Sequence, residues 1–356
     1  MIHRLSEEVR GALRTGVALT SFAQAVEELV LNSIDAGATS VAARVDLQSF
    51  KIQIVDNGAG ITQEQFPLIG ERYATSKCNS LKDLDNLKYF GYRGEALASL
   101  RSAVTFLEII SRPRSSGITY CKCFHNGKPS DIMESSVPRP SAGTTVTAHN
   151  LFYNLPVRQK HLNEGLEMER IRFHVAATAL MWPHISFSLR DDSVGHVILQ
   201  TCKSNSVPMS LSTIFPAAKS RNLKELSISA GEFKIYGVVC TDSYSRKDLQ
   251  FVFVNKRLVL KSSIHHQMNK ILGRSLILRK KCISWEEKIS SGFVNSSSPV
   301  KQADRYGIFV INVECPYSAY DITFEPRKTL VEFKNWPRLI HLIQDLVYGF
   351  LRKENL

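Results

Sequence analysis

From Phe22 to Ala38 the apolar residues Phe22, Val26, Leu29 and Val30 recur at helical spacing, while Glu28, Asn32 and Asp35 fall on a second, polar stripe. The pattern predicts an amphipathic helix that seats one face on a sheet and turns a polar row toward a cavity, with Thr20 and Ser21 as its caps. Two strands follow, over 40–47 and 51–56, the second stopping at Asp56 and breaking into Gly58 and Gly60. Further strands are predicted over 104–111, 119–124 and 144–150, and helices over 95–102 and 167–180. These elements make a mostly antiparallel sheet covered by helices, an α+β arrangement. The Ser-rich stretch 203–212, KSNSVPMSLS, marks a boundary between domains at 1–205 and 206–356. Beyond it, strands are expected over 233–240, 249–254 and 307–313 and a helix over 263–271. A closing amphipathic helix over 335–353 carries Leu339, Ile340, Ile343, Leu346, Val347 and Phe350.

Two stretches break the periodicity. Residues 63–93, with Arg72, Lys77, Lys82 and Lys88 among Asn and Ser, have the character of a mobile lid. Residues 280–304, including NSSSP at 295–299, form a polar run that is expected as a flexible surface insertion. At the start, Ile2, Leu5, Val9 and Leu13 outline a short amphipathic segment.

The 356 residues suffice for two cores, and a formal charge of +12 favours a polyanionic partner, nucleic acid being the commonest. Seven scattered cysteines show no zinc spacing, Cys121 and Cys123 being the one close pair, on one face of a predicted strand. Reduced thiols, no signal peptide and no membrane-spanning apolar run together predict a soluble cytosolic or nuclear protein.

The polar row narrows the chemistry. Glu28 can take a proton or orient a water, and the side-chain oxygen of Asn32 suits a hard cation, which together are requirements of a magnesium-nucleotide site. Asp56, at a strand end beside glycines, can accept a hydrogen bond from an exocyclic amine such as that of adenine. In GYRGEAL, 91–97, two glycines precede a helix start, where backbone N–H groups bind phosphate. Taken singly, each motif also fits a solvated stripe or an ordinary turn. Their joint order carries the argument.

In that order, ExxxN at 28–32, DNGxG at 56–60, TSK at 75–77, GYRGEAL at 91–97 and GTTV at 143–146 closely resemble the ATP-binding motifs of the MutL proteins, relatives of gyrase B, the Hsp90 chaperones and the histidine kinases. LFYNLPVR at 151–158 resembles the family's LFYNTPAR, with Leu155 and Val157 replacing Thr and Ala. The resemblance covers essentially the whole chain. Leu31, Cys78 and the EPRKTLVEF stretch most resemble the eukaryotic branch called MutL homologue three.

The resemblance implies a Bergerat-type ATPase sandwich followed by a ribosomal-S5-like βαβ domain, with ATP and magnesium as cofactors. Glu28 would act on the attacking water, and Asn32, the metal ligand, would hold magnesium with Asp35 beside it. Asp56, supported by Thr144, would read adenine. Gly58 and Gly60 would line the nucleotide, and Thr75, Ser76, Lys77, Gly91, Arg93 and Gly94 would hold the phosphates. Lys328 would reach the γ-phosphate from the second domain, in DITFEPRK where relatives read DVNVHPTK; Thr323, Phe324 and Glu325 depart from that pattern while Asp321, Pro326 and Lys328 keep its frame. Double-stranded DNA would be held non-specifically through Arg158, Lys160, Lys256 and Arg257, with Lys261 nearby.

The same resemblance implies MutL homologue one as heterodimer partner, MutS-type proteins as further partners, no membrane, and a nuclear role in mismatch repair and meiotic recombination. It also implies a separate C-terminal endonuclease domain, whose motif is absent from these residues. Two readings remain, an ATP-hydrolysing switch that closes on nucleotide and grips DNA, and a nucleotide-binding scaffold with little hydrolysis; Glu28 and Lys328 favour the first.

Overall fold

Ser21 accepts the Gln24 backbone N–H at 3.1 Å and starts helix α1, Phe22–Asp35, at the predicted cap. The computed structural model describes residues 3, 4, 6, 9, 16, 19–78, 80, 82, 83, 89–278, 305–321 and 330–356, so the expectations placed on Ile2, Leu5, Leu13, Lys88, the 280–304 run and Lys328 lie outside the described residues. The chain folds as two compact units, 1–205 and 206–356.

In the first unit, α1 leads into strands β1, Ser40–Asp46, and β2, Lys51–Asp56, which pair antiparallel. Next come helix α2, Ala96–Ala103, and strands β3, Phe106–Arg112, β4, Tyr120–His125, β5, Lys128–Pro129, β6, Met133–Glu134, and β7, Gly143–His149. A short helix α3, Pro156–Lys160, precedes the long helix α4, Glu164–Met181, which Asn163 caps, and a hairpin of β8, Ser186–Asp191, and β9, His196–Gln200, completes the unit. The sheet runs β5-β4-β3-β7-β2-β1-β8-β9 with β6 beside β4, and its pairs are antiparallel except β1 with β8.

The period of two decides which face is buried. Val41, Ala43 and Val45 of β1 and Ile52 and Ile54 of β2 are buried on the side where α1 packs on the sheet, and α1 packs in turn on α4, with Val26, Leu29 and Val30 of α1 and Ile171, Val175 and Leu180 of α4 all buried. Asp56 continues the Ile52–Ile54 face, so the strand delivers a carboxylate to the edge of this core.

The boundary stretch is itself structured. Ser206 accepts the Met209 N–H and caps helix α5, Val207–Ile214, with Pro208 in its first turn, where its missing donor costs nothing. Strands β10, Leu223–Ala230, β11, Phe233–Tyr244, β12, Gln250–Val254, β13, Arg257–Val259, and β14, Tyr306–Glu314, form a second sheet in the order β10-β11-β14-β12-β13. β12 and β14 run parallel, and helix α6, Ser263–Leu272, lies in the connection between them, which is the βαβ unit. Strands β15, Tyr320–Asp321, and β16, Glu332–Phe333, pair, and helix α7, Trp336–Lys353, docks Leu339, Ile343, Val347 and Phe350 on the core with Ile264, Met268 and Phe309.

Candidate functional site

Asp56 is 8% exposed and bonded through both oxygens: its Oδ1 accepts the Gly58 N–H at 2.8 Å and the Thr144 N–H at 3.1 Å, and its Oδ2 accepts the Ser33 hydroxyl at 3.0 Å. Burial drives its pKa above the usual aspartate value, against the pull of those three donors and of the nearby Arg139 charge. The carboxylate therefore ties α1, β2 and β7 together. Oδ2, with one protein donor against two on Oδ1, is the oxygen with capacity for another. The Thr144 hydroxyl lies 2.9 Å from that of Ser111, and Arg139 donates to the Asp56 carbonyl at 2.6 Å. Gly60 follows in the turn, against the Arg112–Pro113 backbone.

The polar row of α1 forms the other half of the site. The Asp35 side chain is 3% exposed and accepts the Phe90 N–H at 3.0 Å and the Gly91 N–H at 2.9 Å, bringing the GYRGEAL segment onto the helix. Lys77 Nζ lies 2.8 Å from both Asn32 Oδ1 and Asp35 Oδ2. The Asn32 oxygen thus already faces a cation, and the ammonium stands where a hard metal ion would use the same oxygens. Glu28 is half-buried one turn before Asn32. Thr75 Oγ1 donates to the Gly91 carbonyl at 3.4 Å and accepts the Lys77 N–H at 3.1 Å, and Ser76 between them is exposed.

Two glycines are required here. A Cβ on Gly91 would meet Asn32 Oδ1 at 2.3 Å and Lys77 Nζ at 2.8 Å. Gly94 has φ +62°, and a Cβ there would meet the Ala74 carbonyl at 2.7 Å; the pairing of Tyr73 N–H with the Gly94 carbonyl at 3.0 Å is what holds the strand-like crossing. Arg93 rests beside the Tyr92 ring.

The start of the expected lid is anchored. Gln63–Leu68 is a 3-10 turn with Phe66 fully buried, and the buried Lys122 donates to the carbonyls of Phe66, Pro67 and Ile69 at 3.0, 2.9 and 3.1 Å. Arg101 adds bonds to the Gly70 carbonyl and to Glu71.

The profile of the family described as histidine kinase-, DNA gyrase B- and HSP90-like ATPase matches residues 20–145, which contain this site. The human DNA mismatch repair protein Mlh3 is 43% identical over 357 residues, covering 100% of this chain and 24% of that protein. MutL of Methanothrix thermoacetophila is 29% identical over 356 residues, covering 99% of this chain and 58% of its own length. The chain belongs to the MutL family.

This MutL-family chain spans about a quarter of the human relative and just over half of the archaeal one. The Aquifex aeolicus MutL ATPase domain complexed with ADP superposes with a TM-score of 0.57 at 23% identity, over 84% of this chain and 93% of that one, an agreement in fold. The sheet-and-helix arrangement is thus that of a MutL-type ATPase domain, and the residues that the family profile matches lie within the first unit.

The four basic positions predicted to meet DNA in this MutL-family chain have different surroundings. Arg158 donates to the carbonyls of Leu19 at 2.7 Å and Gly16 at 2.6 Å and stacks on Phe152, so its guanidinium holds the stretch before α1. Lys160 is exposed. Lys256 and Arg257 sit at the β12–β13 hairpin, whose turn residues Asn255 and Lys256 have φ +48° and +64°.

Sequence reasoning missed a buried cluster behind the polar row. His174 of α4 lies 3.0 Å from Glu27 of α1, and Glu167, seven residues earlier on α4, accepts the Ala23 N–H at the start of α1 at 3.0 Å. The i, i+7 spacing of Glu167 and His174 was the available signal. Burial acts to lower the His174 pKa, but the Glu27 charge and hydrogen bond, with Glu167, carry it above the ordinary value.

Proposed function

We propose that the first unit binds magnesium-ATP and hydrolyses it slowly, using the state of the nucleotide to drive closure and DNA engagement by the larger protein. The observation that carries this reading is the shared use of α1: one helix gives Ser33 to the Asp56 hub and presents Asn32 and Asp35 beside Lys77 and Gly91, with Glu28 one turn earlier on the same stripe. Asp56 Oδ2 would accept the amine of adenine, and Asn32 would supply an oxygen to magnesium, whose charge would screen that of the phosphates. Glu28, on the same stripe, orients or deprotonates the attacking water.

Lys77 then exchanges partners. A divalent ion held at Asn32 would compete with the ammonium and a phosphate would offer it a new anion, so Thr75, Ser76 and Lys77 would turn to the nucleotide while Lys122 and Arg101 hold residues 66–71 in place. Gly91, Arg93 and Gly94 complete the phosphate cradle, and the family resemblance assigns Lys328 to the γ-phosphate.

The partners follow the family: MutL homologue one as heterodimer partner, MutS-type proteins, and duplex DNA gripped through Lys160, Lys256 and Arg257, in a nuclear role in mismatch repair and meiotic recombination. Nicking belongs to a C-terminal endonuclease domain outside this chain. The scaffold reading, binding with little hydrolysis, rests on the departures at Thr323, Phe324 and Glu325. A single-turnover ATPase measurement on the purified chain separates the two: bound ATP converted to ADP in a Glu28-dependent way supports the switch, and tight binding without conversion supports the scaffold.

A further inference from the structure

Alternation along the sheet gives the first unit a second face, opposite the one that carries Asp56. Glu108 of β3 is the register partner of Cys123 of β4, and Cys121, two residues earlier, lies on the same face. The two Sγ atoms are 3.7 Å apart, and one ligand atom from each of Glu108, Cys121 and Cys123 falls within 4.8 Å of the others. Both thiols are free.

We propose that Cys121, Cys123 and Glu108 form a zinc site that clamps β3 to β4. Two thiolates on a tetrahedral zinc, each about 2.3 Å from the metal, stand about 3.8 Å apart. The observed sulfur separation of 3.7 Å already meets that requirement. A disulfide fits less well: residues i and i+2 of a strand have Cα atoms about 6.6 Å apart with parallel side chains, at the far end of the disulfide range. Two soft sulfurs with one carboxylate select zinc over magnesium or calcium, which take oxygen. Zinc displaces the two thiol protons to solvent, and water takes the fourth position. Cys123 and Glu108 are half-buried, which gives the ion a way in.

The clamp has a mechanical consequence. Lys122 sits between the two cysteines and points to the other face, where its ammonium gathers the carbonyls of Phe66, Pro67 and Ile69 at the base of the lid. Zinc on one side of β4 therefore stiffens the strand that anchors the lid on the other.

The test is zinc binding by the purified, reduced 356-residue chain, followed by dialysis and metal analysis. One equivalent should bind, and the Cys121→Ser/Cys123→Ser variant should lose it while Cys202→Ser keeps it. Glu108→Gln should weaken binding about tenfold or more, since one of three protein ligands is gone. Cobalt(II) in the wild-type chain should give the strong visible bands of a tetrahedral site and a thiolate-to-cobalt band in the near ultraviolet. Absence of stoichiometric zinc, or zinc retained by the double variant, overturns the proposal. Should the double variant fail to fold, alkylation of the wild-type chain decides instead. Zinc must protect Cys121 and Cys123 in the peptide map and leave Cys78 and Cys202 reactive, and equal labelling with and without zinc overturns the site.

Discussion

Asp56→Asn separates the hub's structural role from its proposed reading of adenine. The new amide can keep its oxygen at the Oδ1 position, where the Gly58 and Thr144 N–H groups point, only by placing its NH2 at the Oδ2 position. Ser33 tolerates that exchange, because its hydroxyl also lies 3.2 Å from the Leu29 carbonyl and can donate there while accepting from the amide. Three charge-assisted bonds become neutral ones, but a buried carboxylate with a raised pKa is removed, so the loss of folding stability should be less than about 2 kcal/mol. The loss for adenine is larger. A donor now faces the exocyclic amine, and forfeiting a hydrogen bond to a charged acceptor costs about 1.5–3 kcal/mol, roughly a 10- to 150-fold rise in Kd. Calorimetric titration with an ATP analogue and magnesium, alongside denaturant unfolding, measures both quantities. The variant should also lose preference for ATP over GTP, whose base presents a carbonyl at that position. Unchanged affinity, or an unfolding loss large enough to explain the weakened binding by itself, would refute the argument.

Other substitutions probe separate parts of the molecule. His174→Gln should cost on the order of 1–3 kcal/mol at pH 6 and less as the pH rises: a pKa raised in the folded state adds stability that is full below the unfolded value of about 6.5 and is lost through the folded value. Denaturant midpoints that differ equally at pH 6 and pH 9 would contradict the Glu27 pairing. Gly91→Ala puts a methyl 2.3 Å from Asn32 Oδ1 and should weaken magnesium-ATP at least about tenfold in a binding titration; wild-type affinity would show the close approach to be dispensable. Changing Lys160, Lys256 and Arg257 to Glu should reduce affinity alike for unrelated duplexes and flatten the log affinity against log salt plot by up to about 0.9 per lost phosphate contact. Arg158 is left intact there because it holds the Gly16 and Leu19 carbonyls, and an unaltered salt slope would move the DNA surface elsewhere.

What the sequence revealed tracks how local each determinant is. Helix α1 was legible because its cap, its apolar stripe and its polar row all lie within fifteen residues of chain, and Asp56 because a β-branched run ends there in glycines. The 203–212 stretch is legible as a domain boundary but not as the start of helix α5: Ser-rich composition outweighs a cap at Ser206 and a proline in the first turn, which are start signals. The β8–β9 hairpin went unread because its second strand, His196–Gln200, is largely exposed and lacks a clear apolar face. Contacts between distant segments left no periodic trace. Nothing near Lys122 says that it will collect three carbonyls from the 66–69 turn, and nothing near Arg158 says that it will secure Gly16 and Leu19. Lys77 was assigned to phosphate from its motif, while its bonds to Asn32 and Asp35 came only with the fold.

The central claim is that Glu28 acts on water while its helix neighbours hold the magnesium-nucleotide. Its most direct test is a paired measurement on Glu28→Ala, equilibrium binding of magnesium-ATP and single-turnover conversion of the bound ATP to ADP. The account predicts affinity within about twofold of wild type together with a fall in conversion rate of at least about 100-fold, whereas Asn32→Ala should lose affinity itself. Hydrolysis by Glu28→Ala at the wild-type rate, or equal loss of nucleotide affinity in the two variants, would contradict it.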